Sequence, residues 1–461
     1  MRYLSRYHWV RMTHTMSLRS KHFMERPWAG GLVLLVCVAV AMLLANLPAT
    51  REIYHHLLHT DLSLWIRSKD GVVDWLFPRE MTVEKFINDG VMVIFFFSVG
   101  LEIKREVVNG QLSTLRKAIL PVIAAAGGML APALIYIGVN AGTPAMAGWA
   151  IPTATDIAFA VAILSMLSNR VPVSLKIFLT ALAIADDLGA ILVIALFYGS
   201  QLNLTCLLVA LLIMAGVYLM NRMGEKRMAF YLVPAIVVWV LFYYSGVHST
   251  LSGVAMALLI PSEPRYSEQH LTQRMRALKE RLLEASRESD DPFPNEEQRY
   301  CLLQMQHLAA GSVGMSDRLE HALSPYVTFL VMPIFALANA GVEIPSLAYF
   351  NIAHTSPAWG SVGLGVFLGL VLGKPLGIWL ASWLAVKFRV ATMPDKASWS
   401  MLFAVACLGG IGFTMSIFVD SLAFTDMEML NRGKIAILMG SVSAALLGSL
   451  LILLFSKKQA R

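Results

Sequence analysis

Apolar runs of bilayer-spanning length recur along the whole chain, and no other feature limits its fold as severely. They fall at residues 31–47, 90–101, 118–139, 145–167, 177–198, 204–220, 228–244, 246–260, 326–340, 361–386, 401–418 and 435–455. In hydrocarbon every backbone N–H and C=O must be bonded within the chain, which for runs of this length means helices. The expected fold is therefore an all-α polytopic membrane protein of about twelve transmembrane helices, with the division of 228–260 open to another placement. Of 461 residues, 57% are hydrophobic and only 15% charged, less charge than a soluble chain of this size carries.

Lys and Arg are distributed unevenly, and this sets an orientation. With residues 1–28 in the cytoplasm, the inside segments hold Arg2, Arg6, Arg11, Arg19, Lys21 and Arg26, then Lys104, Arg105, Arg116 and Lys117. Further inside segments hold Arg170 and Lys176; Arg222, Lys226 and Arg227; Lys387, Arg389 and Lys396; and, in the tail 457–461, Lys457, Lys458 and Arg461. The outside loops near 140–147, 199–203 and 342–358 contain neither Lys nor Arg. Both termini are thus expected inside. The net charge of +7 is accounted for by these short loops, and no basic groove for nucleic acid is implied. The apolar run at 31–47 is long for a signal peptide and no small-x-small cleavage site follows it, so it reads as a retained first helix. Cys37, Cys206, Cys301 and Cys407 are scattered without ligand spacing, which suggests neither disulfides nor a metal site.

Two segments of the membrane domain 29–456 lie outside the spans. The outside loop 48–84 carries an Asp70-Gly71 turn between β-prone flanks, a hairpin pattern. The cytoplasmic insertion 261–317 reads as two polar helices, about 267–287 and 296–310, separated by the breaker DDPFPN. Its charges are mixed in sign, which fits a solvated helical insertion and leaves regulatory or partner docking open.

Helix breakers and charges converge on the middle of several spans. IPTATD (151–156) interrupts the fourth run and GGIG (409–412) the eleventh, a paired placement that points to broken helices meeting at the midplane of an inverted-repeat transporter. Asp156 is central in 145–167, Lys374 in 361–386, and Asp186 and Asp187 stand side by side in 177–198. Unpaired, four ionisable residues at that depth cost on the order of 10–14 kcal/mol, at about 2.5–3.5 each. One lysine neutralises one aspartate, and the two carboxylates left over are the functional signal. Adjacent helical residues point about 100° apart, so one of Asp186 and Asp187 can turn to Lys374 while the other faces a cavity. Carboxylates close together in low dielectric disfavour each other's ionisation. Such a group holds either a proton or a hard cation, and Thr155 adds a hydroxyl oxygen beside Asp156. Competition of H+ with a small alkali cation at one buried site, with alternating access, is antiport. Asp156 can also offset facing helix N-termini, and Lys374 facing C-terminal carbonyls.

At these residues the sequence resembles the NhaA-type sodium/proton antiporter family. The matching motifs are FFFSVGLEIKREV (95–107), GWAIPTATDIAFA (148–160), KIFLTALAIADDLGAI (176–191), SGVHSTLSG (245–253), FALANAGV (335–342), GKPLGI (373–378) and GGIGFTMSIF (409–418). The resemblance implies twelve helices with crossed, broken fourth and eleventh helices, in a bacterial inner membrane. It implies electrogenic exchange of Na+ or Li+ for H+, switched on at alkaline pH, by a secondary transporter with no cofactor. It also implies that Asp187 and Asp186 bind cation and proton, with Asp187 the primary ligand. Asp156 and Thr155 would lie at the helix crossing, and Lys374 would pair with an aspartate. The pH response would involve Glu102, Glu106 and Glu320, with His248, and a homodimer would form through the first outside loop.

The sequence departs from the family at the insertion before Arg318, where a short loop is usual, and at Ser324, where a ring-bearing residue is expected. Asp420, near the end of the eleventh run, is also unusual. An intramembrane aspartyl protease would need its carboxylates on facing helices and leaves Lys374 unexplained. A sodium-coupled organic-anion symporter would need a wider polar cavity, and a pH-gated channel would not need paired breaks.

Overall fold

The computed structural model describes residues 23–24, 26, 28–62, 65–67, 73–75, 81–199, 202–264, 266–287, 294–344, 347–356 and 360–456. Among these, nine helices are long and apolar enough to cross a membrane: Ala29–Asn46, Val83–Val108, Arg116–Asn140, Pro144–Met166, Val173–Phe197, Leu204–Arg222, Met315–Asn339, Val362–Lys387 and Met427–Phe455. The pair Trp399–Gly409 and Phe413–Ala423, bent by 48° at its break, makes a tenth span. Two shorter apolar helices, Ala229–Ser245 and Thr250–Leu259, accompany them.

Several helices outrun the apolar stretches that announce them. Met315–Asn339 begins eleven residues before the run at 326, and Met427–Phe455 begins eight before the run at 435. The extra turns are polar, and two of their charges are paired with other side chains. Glu320 accepts from Arg105 across helices, and Arg432 donates to Glu428 one turn away at 3.2 Å. Lys104 closes the end of another helix by donating to the carbonyls of Leu258 and Ile260, a cation at a helix C-terminus. Charge therefore sets the edge of an apolar run without ending the helix.

The spans differ in how central they are. Two-thirds of the most apolar stretch of Val173–Phe197 (67%) is buried inside the protein, against 11% for Leu204–Arg222, so the former is an interior helix and the latter faces lipid. The main hydrophobic cluster surrounds Val173–Phe197. A smaller one joins Leu204–Arg222, Ala229–Ser245 and Thr250–Leu259 to Val83–Val108 through Phe97, Leu101, Val217, Tyr231, Val238 and Met256. Val362–Lys387 lies against Leu115–Asn140 at very close range. A Cβ at Gly377 would come within 2.2 Å of the Gly127 carbonyl oxygen, so only glycine lets these backbones meet. Wide π-turns at Ile87–Val91, Val327–Val331 and Gly369–Gly373 interrupt three spans, the last directly before Lys374.

Outside the spans, Trp65–Arg67 and Val73–Trp75 pair antiparallel, with Trp65 opposite Trp75, as the hairpin pattern of the first loop requires. This short ribbon is the exception to an otherwise helical chain among the described residues; the Asp70-Gly71 turn lies outside them. The insertion forms Glu268–Arg287 and Glu296–Gly311, within a residue of the bounds read from the sequence. Asn295 and Gln298 build a reciprocal capping box at the start of the second helix. The two helices pack on each other, and their ends return to one place: Ser316 N donates to Pro261 O, and Gly314 lies against Ser262. A chain lacking residues 268–313 should therefore still insert and fold, with a thermal midpoint in detergent within a few degrees of the full chain. Aggregation of that deletion on size-exclusion chromatography would show that the helical pair is integral to the core.

Candidate functional site

Two breaks in helices place the polar groups. The first half of the fourth span is a 3-10 helix, Pro144–Thr153; Ala154–Asp156 are extended, and Ile157–Met166 resumes as α-helix. In the bent span, Gly410–Gly412 separate Trp399–Gly409 from Phe413–Ala423. The two breaks touch: Asp156 N donates to Ile411 O at 2.7 Å, and Ser416 Oγ to Ile151 O at 2.8 Å. A Cβ at Gly410 would lie 2.4 Å from the Leu370 carbonyl oxygen, so this backbone must be glycine to fit beneath the Lys374 helix.

Each broken end meets a group of opposite polarity. Asp156 caps Ile157–Met166 by accepting from Phe159 N at 3.1 Å through Oδ1. Its Oδ2 accepts from Thr414 N at 3.1 Å and from the Thr414 hydroxyl, at the start of Phe413–Ala423. One carboxylate thus serves two helix N-termini. At the C-terminal ends, Lys374 Nζ donates to Thr153 O, and Thr155 Oγ1 lies 3.1 Å from Gly409 O.

The helix Val173–Phe197 brings the carboxylate pair to this meeting point. Asp186 Oδ2 lies 2.6 Å from Lys374 Nζ and 2.5 Å from Thr155 Oγ1. Asp187, one residue on, turns into a cavity of about 150 Å3. Asp156, Asp187, Thr155, Thr414, Ser98, Glu102, Ser324 and Thr328 supply its polar lining. Asp156, Asp186, Asp187 and Lys374 are each at most 3% exposed, so none is neutralised by bulk water. One oxygen of Asp186 and one of Asp187 have no hydrogen-bond partner. A buried acceptor left open is costly, and a proton or a cation would satisfy it.

The structure thus brings together Asp156, Thr155, Asp186, Asp187, Lys374 and Glu102. It sets Glu106 and Glu320 at the end of the bundle where Lys104 and Arg105 lie. Arg105 bridges them, donating to Glu320 Oε1 and standing 3.5 Å from Glu106 Oε1. His248 is at the opposite end. Its Nδ1 is 4.0 Å from Asp89 Oδ1 and 3.3 Å from Thr250 Oγ1, and its ring stands edge-on to Phe418. These two groups border a separate cavity of about 280 Å3 with Lys85, Tyr198 and Tyr243. Neither His248 nor Asp89 lines the aspartate cavity, which begins on the Asp89 helix at Phe95, six residues on and about 9 Å away.

Ser98, Asp89 and Thr414 escaped the sequence reading. Thr414 had a recognisable signal: it follows the second break as Asp156 follows the first. Ser98 lies in an otherwise apolar run and gave none.

Broken helices meeting around buried charges within apolar spans define the architecture of a secondary transporter. Residues 21–452 match the model of the Na+/H+ antiporter 1 family, and the chain belongs to that family of secondary transporters, which are not enzymes. It is 43% identical to the Na(+)/H(+) antiporter NhaA of Acidithiobacillus ferrooxidans, over 95% of this chain and 98% of that one. Against the NhaA of Caulobacter vibrioides it is 42% identical, over 95% and 91%. With that of Pelagibacter ubique the identity is 40%, over 97% of this chain and the full length of the relative.

The Lys374–Asp186 pair is sealed from solvent, so removing one partner leaves a bare charge. Lys374→Met should destabilise the protein by about 3–5 kcal/mol. Lys374→Met with Asp186→Asn should recover most of that loss, as read from unfolding midpoints in detergent. Equal destabilisation of the single and double variants would deny the pairing an energetic role.

Proposed function

We propose that this chain extrudes Na+ or Li+ in exchange for protons, with Asp187 as the primary cation and proton ligand. The observation that carries the reading is the unequal environment of the adjacent carboxylates. Both carboxylates keep one open oxygen, but Asp186 is paired through the other with Lys374 and Thr155, whereas Asp187 borders the cavity that also reaches Asp156. At about 150 Å3, that cavity holds only a few waters, at roughly 30 Å3 each, and is small for an organic anion. A dehydrated alkali cation fits, with oxygens of Asp187, Asp156, Thr155 and Ser98 within the same lining.

Protonation and cation binding compete for Asp187. At low cytoplasmic pH the proton occupies it and the cation is excluded; as pH rises the carboxylate opens to Na+. When the broken helices rock against the rest of the bundle, Na+ leaves on the outer side and protons take its place. Return of the protonated carboxyls completes the cycle. Entry of more than one proton per Na+, shared between Asp187 and Asp186, makes the exchange electrogenic.

Twelve spans follow if Ala229–Ser245 and Thr250–Leu259 cross beside the nine long helices and the bent pair, with the fourth and eleventh spans crossing as inverted repeats. The positive-inside pattern supports a bacterial inner membrane with both termini cytoplasmic. The cavity then opens from the cytoplasmic half. Glu102 lies in its wall, and the Arg105–Glu320–Glu106 group stands near its mouth, where cytoplasmic pH acts first. His248 with Asp89 would answer to pH from the other face. The paired strands of the first loop support dimerisation through that loop.

The direct test is proton release from acid-loaded everted vesicles on addition of Na+, Li+ or K+ across alkaline and acidic pH. Na+ and Li+ should collapse the gradient, strongly at alkaline pH and weakly at acidic pH. Asp187→Asn should reduce the response to background while expressing and inserting normally. Near-normal exchange by that variant would remove Asp187 from its role, and no response to either cation at any pH would refute antiport.

A further inference from the structure

A second buried carboxylate lies apart from the midplane site. Asp420 is near the end of Phe413–Ala423, six residues beyond Thr414, about 9 Å along the axis. It is fully buried, and neither of its oxygens has a hydrogen-bond partner. The carboxylate presses on the next helix, where a Cβ at Gly433 would fall 2.1 Å from its Oδ1. The following residue, Lys434, is 5% exposed and acts on Asp420 electrostatically with no hydrogen bond between them. Glu84 and His55 face Lys434 from the first loop and the helix that follows it, and the phenols of Tyr136 and Tyr198 complete the ionisable surroundings of Asp420. All of this is at the end of the bundle opposite Lys104 and Arg105.

The chemistry of the pocket favours a proton. A hard cation needs several oxygen ligands, but no hydroxyl or amide donates to Asp420, and the charge beside it is positive. A carboxylate without donors in a dry interior is strongly disfavoured, whereas protonation neutralises it with no other ligand. Lys434 makes the ionised form reachable. On the same helix face, one turn toward the midplane, Ser416 is bonded to Ile151 O beside the first break.

We infer that Asp420 is a proton-binding site in the outer half of the protein, alternating between a neutral acid and a carboxylate balanced by Lys434. It relays protons between the outer face and the midplane carboxylates. Each relay step moves one proton onto or off a carboxyl oxygen and changes no other bond. The relay role rests on the antiport reading; proton binding at Asp420 does not.

The test pairs spectroscopy with transport on the full chain. Infrared difference spectra against pH should show the carbonyl stretch of a buried protonated carboxyl that is absent in Asp420→Asn. In Lys434→Met that band should persist to a pH about one unit more alkaline, because its counter-charge is gone. In right-side-out vesicles, Asp420→Asn should alter the dependence of exchange on outer pH, while everted vesicles retain the dependence on cytoplasmic pH. An unchanged band set, or an unchanged outer-pH profile in folded Asp420→Asn, overturns the inference. If that variant does not fold, an unmoved band in Lys434→Met overturns it. Absence of Na+ exchange in the unaltered protein would refute antiport alone, and the infrared comparison would still decide proton binding at Asp420.

Discussion

Two apolar spans whose helices break part-way along create the constraint on which the rest of the molecule depends. Each break exposes one C-terminal and one N-terminal end where water cannot satisfy them, and such backbone persists only if protein groups of the right polarity meet it. Asp156 meets both N-termini, through Phe159 N and the Thr414 amide and hydroxyl. Lys374 and Thr155 meet the C-terminal carbonyls of Thr153 and Gly409. These charged residues therefore hold the breaks together before any ion arrives. Burial that would penalise an isolated charge is offset by the dipoles it terminates.

The unlike surroundings of the two adjacent carboxylates follow from that arrangement. Lys374 is committed on two sides, to Thr153 and to Asp186, so the charge of Asp186 has a direct partner. Asp187, rotated about 100° around the same helix, lies beyond the reach of these hydrogen bonds and lines the cavity. Adjacent positions in sequence thus acquire unlike surroundings. The interior placement of Val173–Phe197 makes the difference large, because both carboxylates are almost fully buried and only local partners distinguish them.

Ionisable groups continue toward both ends of the bundle. Glu102 joins the cavity wall, with Arg105, Glu106 and Glu320 beyond it on one side. Asp420 and Lys434 occupy the other side, and His248 with Asp89 borders a cavity there. In the first group Arg105 joins Glu106 and Glu320, whereas Asp420 has no hydrogen bond at all. A group held by partners reports its partners' state; one without them reports its own protonation.

Much of this was legible in residue order, because the bilayer is an unforgiving solvent. Apolar run length announced most of the spans, and Pro152 and the Gly409–Gly412 cluster the breaks. Four charges in apolar runs marked the place where the broken helices meet, since their transfer cost demands compensation. The sequence could not show where helices end when charged turns are paired, as at Glu320 and Arg432. Nor could it find Ser98 or Asp89, or separate His248 from the aspartate cavity. Those facts depend on which faces meet across distant segments. Hydrophobicity is local and can be read along the chain, whereas the partner of a buried polar atom is chosen only when backbones such as those at Gly127 and Gly377 close against each other.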